Sequence, residues 1–419
     1  MPIRSNRWKL GMGLPVLAVA QARADNSVGY THESYVEDRG RMTVQTETLR
    51  GQVTLTPWLD LTARGVYDGI SGATPIGAPP INQLKLVNPL SHFAVPPSTI
   101  TGFTRPFDGV SSASPVSQAT PRDVVPLAES KDIRRGVDLS AGLSFGPHHL
   151  APEISYSNEH DYISYALAFN YSLELNEKNT ILSFGYAHSY DLVLNNPFTY
   201  LTHDATKNTD DFIAGISQIV SRGTILGVNA TISHSDGYLN DPYRSVVFQE
   251  TEIDPNARVV LRGEKRPRTR DSQAVLMSIK QAIPALNASI EGDYRFYHDS
   301  YGIVANTLGV SWAQKFGRSV IVSPSFRYYR QGAAHFYAIQ FPGDPVNAPA
   351  RVPAFYSSDY RLSFLETFTL GLEANVELFE HWDLFLGYQR YWMHGLDGQT
   401  VQSTYPSANI FTIGLTYAF

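Results

Sequence analysis

The stretch THDATKNTDDF sets His203, Asp204, Asp210 and Asp211 close together in the chain. A histidine oriented by a carboxylate can take a proton from water, and paired aspartates can hold that water for attack. Such a hydrolase site needs its two pairs to meet across a cleft from separate strands. Here both sit in one polar stretch, which reads as a loop rather than a catalytic centre. His188 beside Ser189 lies on a tyrosine-rich face and reads as a girdle residue, not a nucleophile–base pair. His148-His149 follows Gly146-Pro147 in a short turn. Two imidazoles can bind metal, but without cysteines or nearby carboxylates they fit a turn better. The glycines of GISGATPIG lack the Gly-Lys-Ser/Thr of a phosphate loop and read as turn chemistry. The chain has no cysteine, which excludes disulfides, thiolate zinc sites and iron–sulfur ligation within it. No catalytic, cofactor or metal set is read from the sequence, and the expectation is a protein that is not an enzyme.

A different set carries charge. Asp60, Arg64, Asp138, Glu153, Glu291, Asp293, Arg295, Arg327, Glu373 and Glu377 all fall on the polar phase of alternating segments. Mixed acids and arginines of this kind, facing a water-filled interior, set ion selectivity or simply solvate it. The run LRGEKRPRTRD supplies Arg262, Lys265, Arg266, Arg268 and Arg270. Facing outward, it would attract lipopolysaccharide phosphates, or it is a solvated loop. The net charge of −6 gives no reason to expect nucleic acid.

The elements that position these residues are strands. In DYISYALAFNYSLEL, Ile163, Tyr165, Leu167, Phe169, Tyr171 and Leu173 share one face, and Ser164, Ala166, Ala168, Asn170 and Ser172 the other. The same alternation runs through TILSFGYAHSYD, LNASIEGDYRF and LETFTLGLEANVEL. Alternation alone fits a soluble sandwich with its apolar face inward or a membrane barrel with that face outward. Three features choose the barrel. Trp58, Tyr156, Tyr190, Trp312, Tyr328, Tyr329, Trp382, Tyr391 and Trp392 crowd strand ends as aromatic girdles do. The strands run about 10–13 residues, near the ~9–11 that cross a bilayer. Connections alternate between short and mostly long. Charged residues are only 17%, below the ~25% usual in soluble domains.

Sixteen strands are expected, starting near residues 26, 41, 58, 134, 149, 161, 180, 209, 224, 271, 285, 301, 319, 359, 382 and 407. An even count puts both termini on one side, the side of the short turns. The fold class is therefore all-β: a transmembrane antiparallel up-and-down barrel with short periplasmic turns and long external loops. Segment 69–133, rich in Pro, Gly and Ser, is expected as a long loop that plugs or caps the barrel. No internal repeat beyond the hairpin period is evident.

Residues 1–24 read as a secretory signal. Arg4, Arg7 and Lys9 precede an apolar run, and Ala22-Arg23-Ala24 fits the cleavage rule. At the other end, Phe411, Ile413, Leu415, Tyr417 and Phe419 form one apolar face of a strand. That strand is expected to pair with the first, closing the barrel and removing its edge. Its aromatic end resembles the signal read by the outer-membrane barrel-assembly machinery.

Several stretches together resemble a known family: DGISGATPIG (68–77), YSNEHDYISYALAFNYSLELNEKNTILSFGYAHSYD (156–191), NDPYR (240–244) and the terminal Phe. They are similar to the bacterial outer-membrane β-barrels catalogued as domain of unknown function 3570. The resemblance covers essentially the whole chain after the leader. It implies an outer-membrane location and a barrel. It also implies an envelope redox context with a periplasmic redox partner, and it brings no catalytic residues. Lipid and lipopolysaccharide are the expected surroundings. The expected activity is passage or binding of small polar or ionic solutes. The alternative is a non-conducting scaffold or sheath for a partner.

Overall fold

The structure, a computed structural model, describes residues 26–75, 77, 127–196, 199–249, 259–345 and 348–419. Strands run in chain order as β1 (Ser27–Glu37), β2 (Met42–Thr56), β3 (Leu59–Pro75), β4 (Leu127–Phe145), β5 (His148–Asn158) and β6 (Tyr162–Leu175). They continue as β7 (Thr180–Val193), β8 (Ala205–Ser221), β9 (Thr224–Gly237), β10 (Ser245–Gln249), β11 (Val259–Gly263) and β12 (Thr269–Ile283). The last six are β13 (Ala288–Asp299), β14 (Val304–Phe316), β15 (Val320–Gln331), β16 (Leu365–Phe379), β17 (Trp382–Gly395) and β18 (Ser407–Ala418).

All but β10 and β11 form one closed antiparallel barrel of sixteen strands, with each neighbour in sequence a neighbour in space. β18 pairs with β1 from Ser27↔Ala418 to Glu37↔Ala408, so the sheet has no free edge. The barrel of the sequence analysis is present, strand for strand. Most of the strands are longer than expected, up to 19 residues in β4. The ladder takes in 69–75 and 127–133, which the sequence reading gives to the long loop. The rest of that loop, apart from Gly77, and the expected leader lie outside the described residues.

The outward face is apolar and open. Leu167 is 61% exposed and Ile232 62%, and Phe411, Ile413, Leu415, Tyr417 and Phe419 are all exposed. Water does not tolerate a continuous apolar belt of this extent; lipid does. At ~3.3 Å per residue and a ~40° tilt, twelve residues rise about 30 Å, enough for an apolar band ~25 Å tall. This is a transmembrane barrel.

One device recurs around the loop end of this belt. Tyr30, Tyr186, Tyr294, Tyr328 and Tyr388 face outward on β1, β7, β13, β15 and β17. Each donates its hydroxyl to the next strand: to Glu47, Asp210 (2.7 Å), Asn306 (2.5 Å), Glu366 (3.0 Å) and Asn409 (2.9 Å). In every case the acceptor stands opposite the residue two beyond the tyrosine: His32, His188, Phe296, Arg330 and Arg390. The ring lies in lipid while the hydroxyl reaches a polar acceptor one step toward the loops, which marks the upper edge of the apolar belt. His188 belongs to this girdle, with Nδ1 2.9 Å from Asp210. Two tyrosines read as girdle residues are not: Tyr329 and Tyr391 fall on the other phase, beside outward-facing Tyr328 and Trp392, and face the lumen.

Candidate functional site

The lumen is built from the inward phase of each strand. β13 presents Glu291, Asp293, Arg295, Tyr297 and Asp299, and β15 presents Arg327, Tyr329 and Gln331. Between them β14 presents only Ala305, Thr307, Gly309, Ser311 and Ala313. Register places Arg295 and Tyr329 on either side of Thr307, and Asp293 and Arg327 on either side of Gly309. The small strand gives the long side chains room to lie over it. A Cβ at Gly309 would sit 2.2 Å from Asp293 Oδ1.

The charged positions expected from the sequence all lie on the inward phase, but they do not form one cluster. Arg64 pairs with Asp138 at 2.6 Å, and Glu291 with Lys280 at 3.2 Å. Glu153 accepts from Ser155 at 3.4 Å. Asp60 lies over Gly142, where a Cβ would meet its carboxylate at 2.2 Å. Glu373 stands opposite Ser323 and Gly387, and Glu377 is exposed near the turns. Asp60, Glu291, Asp293, Glu373 and Glu377 occupy the turn-end halves of their strands, whereas Arg295 and Arg327 occupy the loop-end halves. On the β13–β15 wall Glu291 and Asp293 therefore stand nearer the turns than Arg295 and Arg327.

Pairing also differs around the wall. On the β3–β8 side, the lumenal cations Arg64, Arg134 and Lys207 sit on Asp138, Asp68 and Asp191 at 2.6, 2.6 and 2.9 Å. On the β13–β15 side, Arg295 and Arg327 have no carboxylate within ion-pair distance among the described residues. Arg295 stacks on the Tyr297 ring at 5.4 Å instead.

Above this wall the loops close over the mouth. The hairpin β10–β11 lies in the β9–β12 loop, and Val246, Val247, Phe248, Val260 and Leu261 are fully buried. A strand at a surface would leave one face open; β10 has both faces covered. The β15–β16 loop runs beside it, joined by Phe341 N–H to Val247 O at 2.8 Å and Gln249 N–H to Phe341 O at 3.0 Å. Tyr200, from the β7–β8 loop, bonds to Ser245 at 2.8 Å. Arg244 reaches Thr74 of β3 at 3.4 Å, six strands round the ring from β9. Contacts of that span mean the loops meet across the opening.

An ion network locks the cap. Asp359 accepts from Arg361 Nη2 (2.5 Å) and Arg266 Nη2 (2.9 Å), with Arg244 Nε 3.9 Å away. Asp241 accepts from Arg361 (2.6 Å) and Arg244 (3.1 Å). Glu264 meets Arg266 Nε at 2.7 Å and accepts from Ser357 at 2.5 Å and from the Asp241 amide. Burial pushes the Glu264 carboxyl up, against the pull of Arg266, to about 7. Burial also works to raise Asp359, but Arg361, Arg244 and Arg266 outweigh it and hold the carboxyl far below the usual range. This corrects the outward reading of the basic run 261–271 for two of its members, while Lys265 and Arg268 are exposed. Arg266 is buried in the network, and Arg270 pairs with Asp299 at 2.5 Å, because the cap's carboxylates supply nearer partners than lipid does.

Beneath the cap lies a cavity of about 320 Å³. Arg266, Arg270, Arg295 and Arg361 line it with Tyr297, Tyr329, Gln331, Asp359, Ile303 and Leu362. Of these, sequence reasoning places only Arg295 in the lumen; it reads Arg266 and Arg270 as part of an outward loop run and Tyr329 as a girdle residue. Following the alternation two residues up β13 and β15 from Arg295 and Arg327 would have reached Tyr297 and Tyr329. No period brings Arg266 and Arg361 to the same place.

The other candidates disperse. Asp210 faces outward, on Tyr186 and His188, while Asp211 falls on the inward phase because successive strand residues point opposite ways. His203 bonds to Thr202, and Asp204 accepts from the Asn195 amide. His148 meets Tyr171 at 2.8 Å on the outer face; His149 meets Ser144 at 2.9 Å and Glu174 at 3.3 Å on the inner face.

The stretches that carry the family resemblance meet in the cap. Tyr243 and Arg244 of NDPYR reach Asp161 of the 156–191 stretch and Thr74 of DGISGATPIG. Comparison with known proteins agrees with that resemblance. Residues 15–203 and 195–419 match the family model described as protein of unknown function (DUF3570). No curated protein matches the sequence. Among solved structures, the chain is similar to the siderophore receptor PirA from Pseudomonas aeruginosa: 10% identity, TM-score 0.40, covering 94% of this chain and 63% of that one. It is also similar to a bacterial polysaccharide outer membrane secretin: 8% identity, TM-score 0.46, covering 95% and 99%. A third is OccK1 (OpdK) from Pseudomonas aeruginosa: 8% identity, TM-score 0.40, covering 95% and 98%. The chain thus spans less than two thirds of the siderophore receptor's length. With its two matched segments covering nearly the entire chain, this protein belongs to the DUF3570 family.

Proposed function

We propose that this barrel sits in the bacterial outer membrane and takes small polar or ionic solutes into a lumen narrowed at its outer mouth by the cap. The observation that supports this is the charged lumen wall running up to a polar cavity directly under interlocked loops. A barrel of sixteen strands encloses room for an aqueous channel, and the cap restricts what enters. The hairpin β10–β11 is the part of the cap buried on both faces, so it is the natural obstruction.

Conductance in planar bilayers tests the reading. The intact protein should conduct weakly. A variant with residues 245–263 replaced by a short Gly-Ser linker should conduct several-fold more. Silence from both, with the barrel correctly inserted, would sink the passage reading and leave the scaffold for an envelope partner.

A further inference from the structure

The cavity under the cap has a chemical preference. Three of its four arginines already have carboxylate partners: Arg270 on Asp299, and Arg266 and Arg361 on Asp359. Their positions are fixed, and their guanidinium groups remain part of the lining. Arg295 has no such partner among the described residues, and its stacking on Tyr297 leaves the fork of N–H donors unclaimed. Arg327 stands one inward position lower on β15, also without an ion pair among the described residues. The tyrosine hydroxyls are held by other partners. Tyr297 donates to Asp299 at 2.8 Å and Tyr329 to Gln331 at 2.6 Å. Gln331 in turn donates to Arg361 O and Ser363 O, both at 2.9 Å. The wall is therefore locked in place before any solute arrives, with Arg295 at the cavity and Arg327 just below it left without an ion pair among the described residues.

We propose that this cavity is a binding subsite for the carboxylate or phosphate group of a small anionic solute, held by Arg295 with support from Arg327. The planar guanidinium offers two parallel donors that match either oxyanion. The volume suits it: at roughly 30 Å³ per water, about 320 Å³ holds on the order of ten waters or a solute of similar size. Shelter under the cap reduces screening by salt. Below the subsite Asp293 follows on the same strand, with Glu291 beyond it paired to Lys280 at 3.2 Å, so Asp293 is the acid that an anion would meet further in. A solute carrying a cationic group as well would point it down the axis.

This inference rests on the solute-uptake reading, and the experiment separates the two. The full-length protein in lipid nanodiscs is titrated calorimetrically with sodium phosphate, sodium succinate and, as the cation arm, choline chloride. Binding of one or both anions and not choline is expected; which anion binds distinguishes phosphate from carboxylate recognition. R295Q should weaken anion binding at least tenfold, R295K should recover part of it, and R222Q, in a turn at the other end, should change nothing. If R295Q fails to show the heat-dependent gel shift of a folded barrel, R327Q, expected to weaken binding several-fold, and R295K carry the test. Anion binding unchanged in folded R295Q, or choline bound in preference, overturns the subsite. Conductance without anion binding overturns the subsite alone; anion binding without conductance overturns passage alone.

Discussion

At Asp359 one buried carboxylate receives two guanidinium groups directly and a third at 3.9 Å. A buried charge is tolerated only while its partners are present, and removing one partner of a buried pair typically costs 3–5 kcal/mol. Asp359→Asn keeps the shape and removes the charge that Arg244, Arg266 and Arg361 share. Its effect should be local. The loops should loosen by about 3–5 kcal/mol, read as faster amide exchange and easier proteolysis within 238–249, 259–268, 332–345 and 348–364. The barrel itself should keep its heat-dependent gel shift. Loss of the whole barrel would contradict this division between cap and wall.

At the scale of elements, β14 is the strand whose inward face stays small so that its neighbours can be large. Gly309→Val sets a Cβ where Asp293 Oδ1 now lies, 2.2 Å away, and forces that carboxylate off the strand. Only the flexible end of that side chain has to give way, so the cost should stay below about 1 kcal/mol, and a larger fall of the urea midpoint would mean that the Asp293 carboxylate is locked in place. Gly65, on the lipid-facing phase of β3, has nothing within 4 Å of an added Cβ, and Gly65→Ala should be close to neutral. The barrel strands were legible because alternation is a local signal: one strand's own residues declare both its direction and its faces. β10 was not. SVVFQ has no alternation, since both its faces are buried, and five residues are too few to separate a strand from a loop. The cap network was illegible for a further reason. Asp241, Glu264 and Asp359 lie in two loops separated by four barrel strands, and only closure of the ring brings those loops together. The inward charges, by contrast, followed from phase alone; which of them are paired did not.

At the scale of the molecule, the proposed uptake would take a solute past the cap to the arginines and tyrosines of the β13–β15 wall before Asp293. The cap is also the part whose stability depends on pH near neutrality. Glu264 faces Arg266, Ser357 and the Asp241 amide, with Asp359, Asp241, Arg361 and Tyr238 close by. Its carboxyl has an ordinary value of 4.5 when released to water and about 7 in the closed cap. A raised folded value means the neutral form favours closure. That contribution is full below about 4.5 and is lost as pH rises through 7. Asp241 and Asp359 shift the other way and lose their contribution only well below 3.8, outside this window. Between about pH 5 and 8, then, Glu264 alone of these three acids sets the trend. The closed form should weaken on the order of a hundredfold as pH rises. Conductance of the intact protein should increase most steeply between about pH 4.5 and 7 and level off above that. Glu264→Gln keeps the closed, neutral shape and should conduct weakly and evenly at every pH. A pH profile in E264Q that matched the unaltered protein would assign the titration to another group and remove the cap from the control of entry.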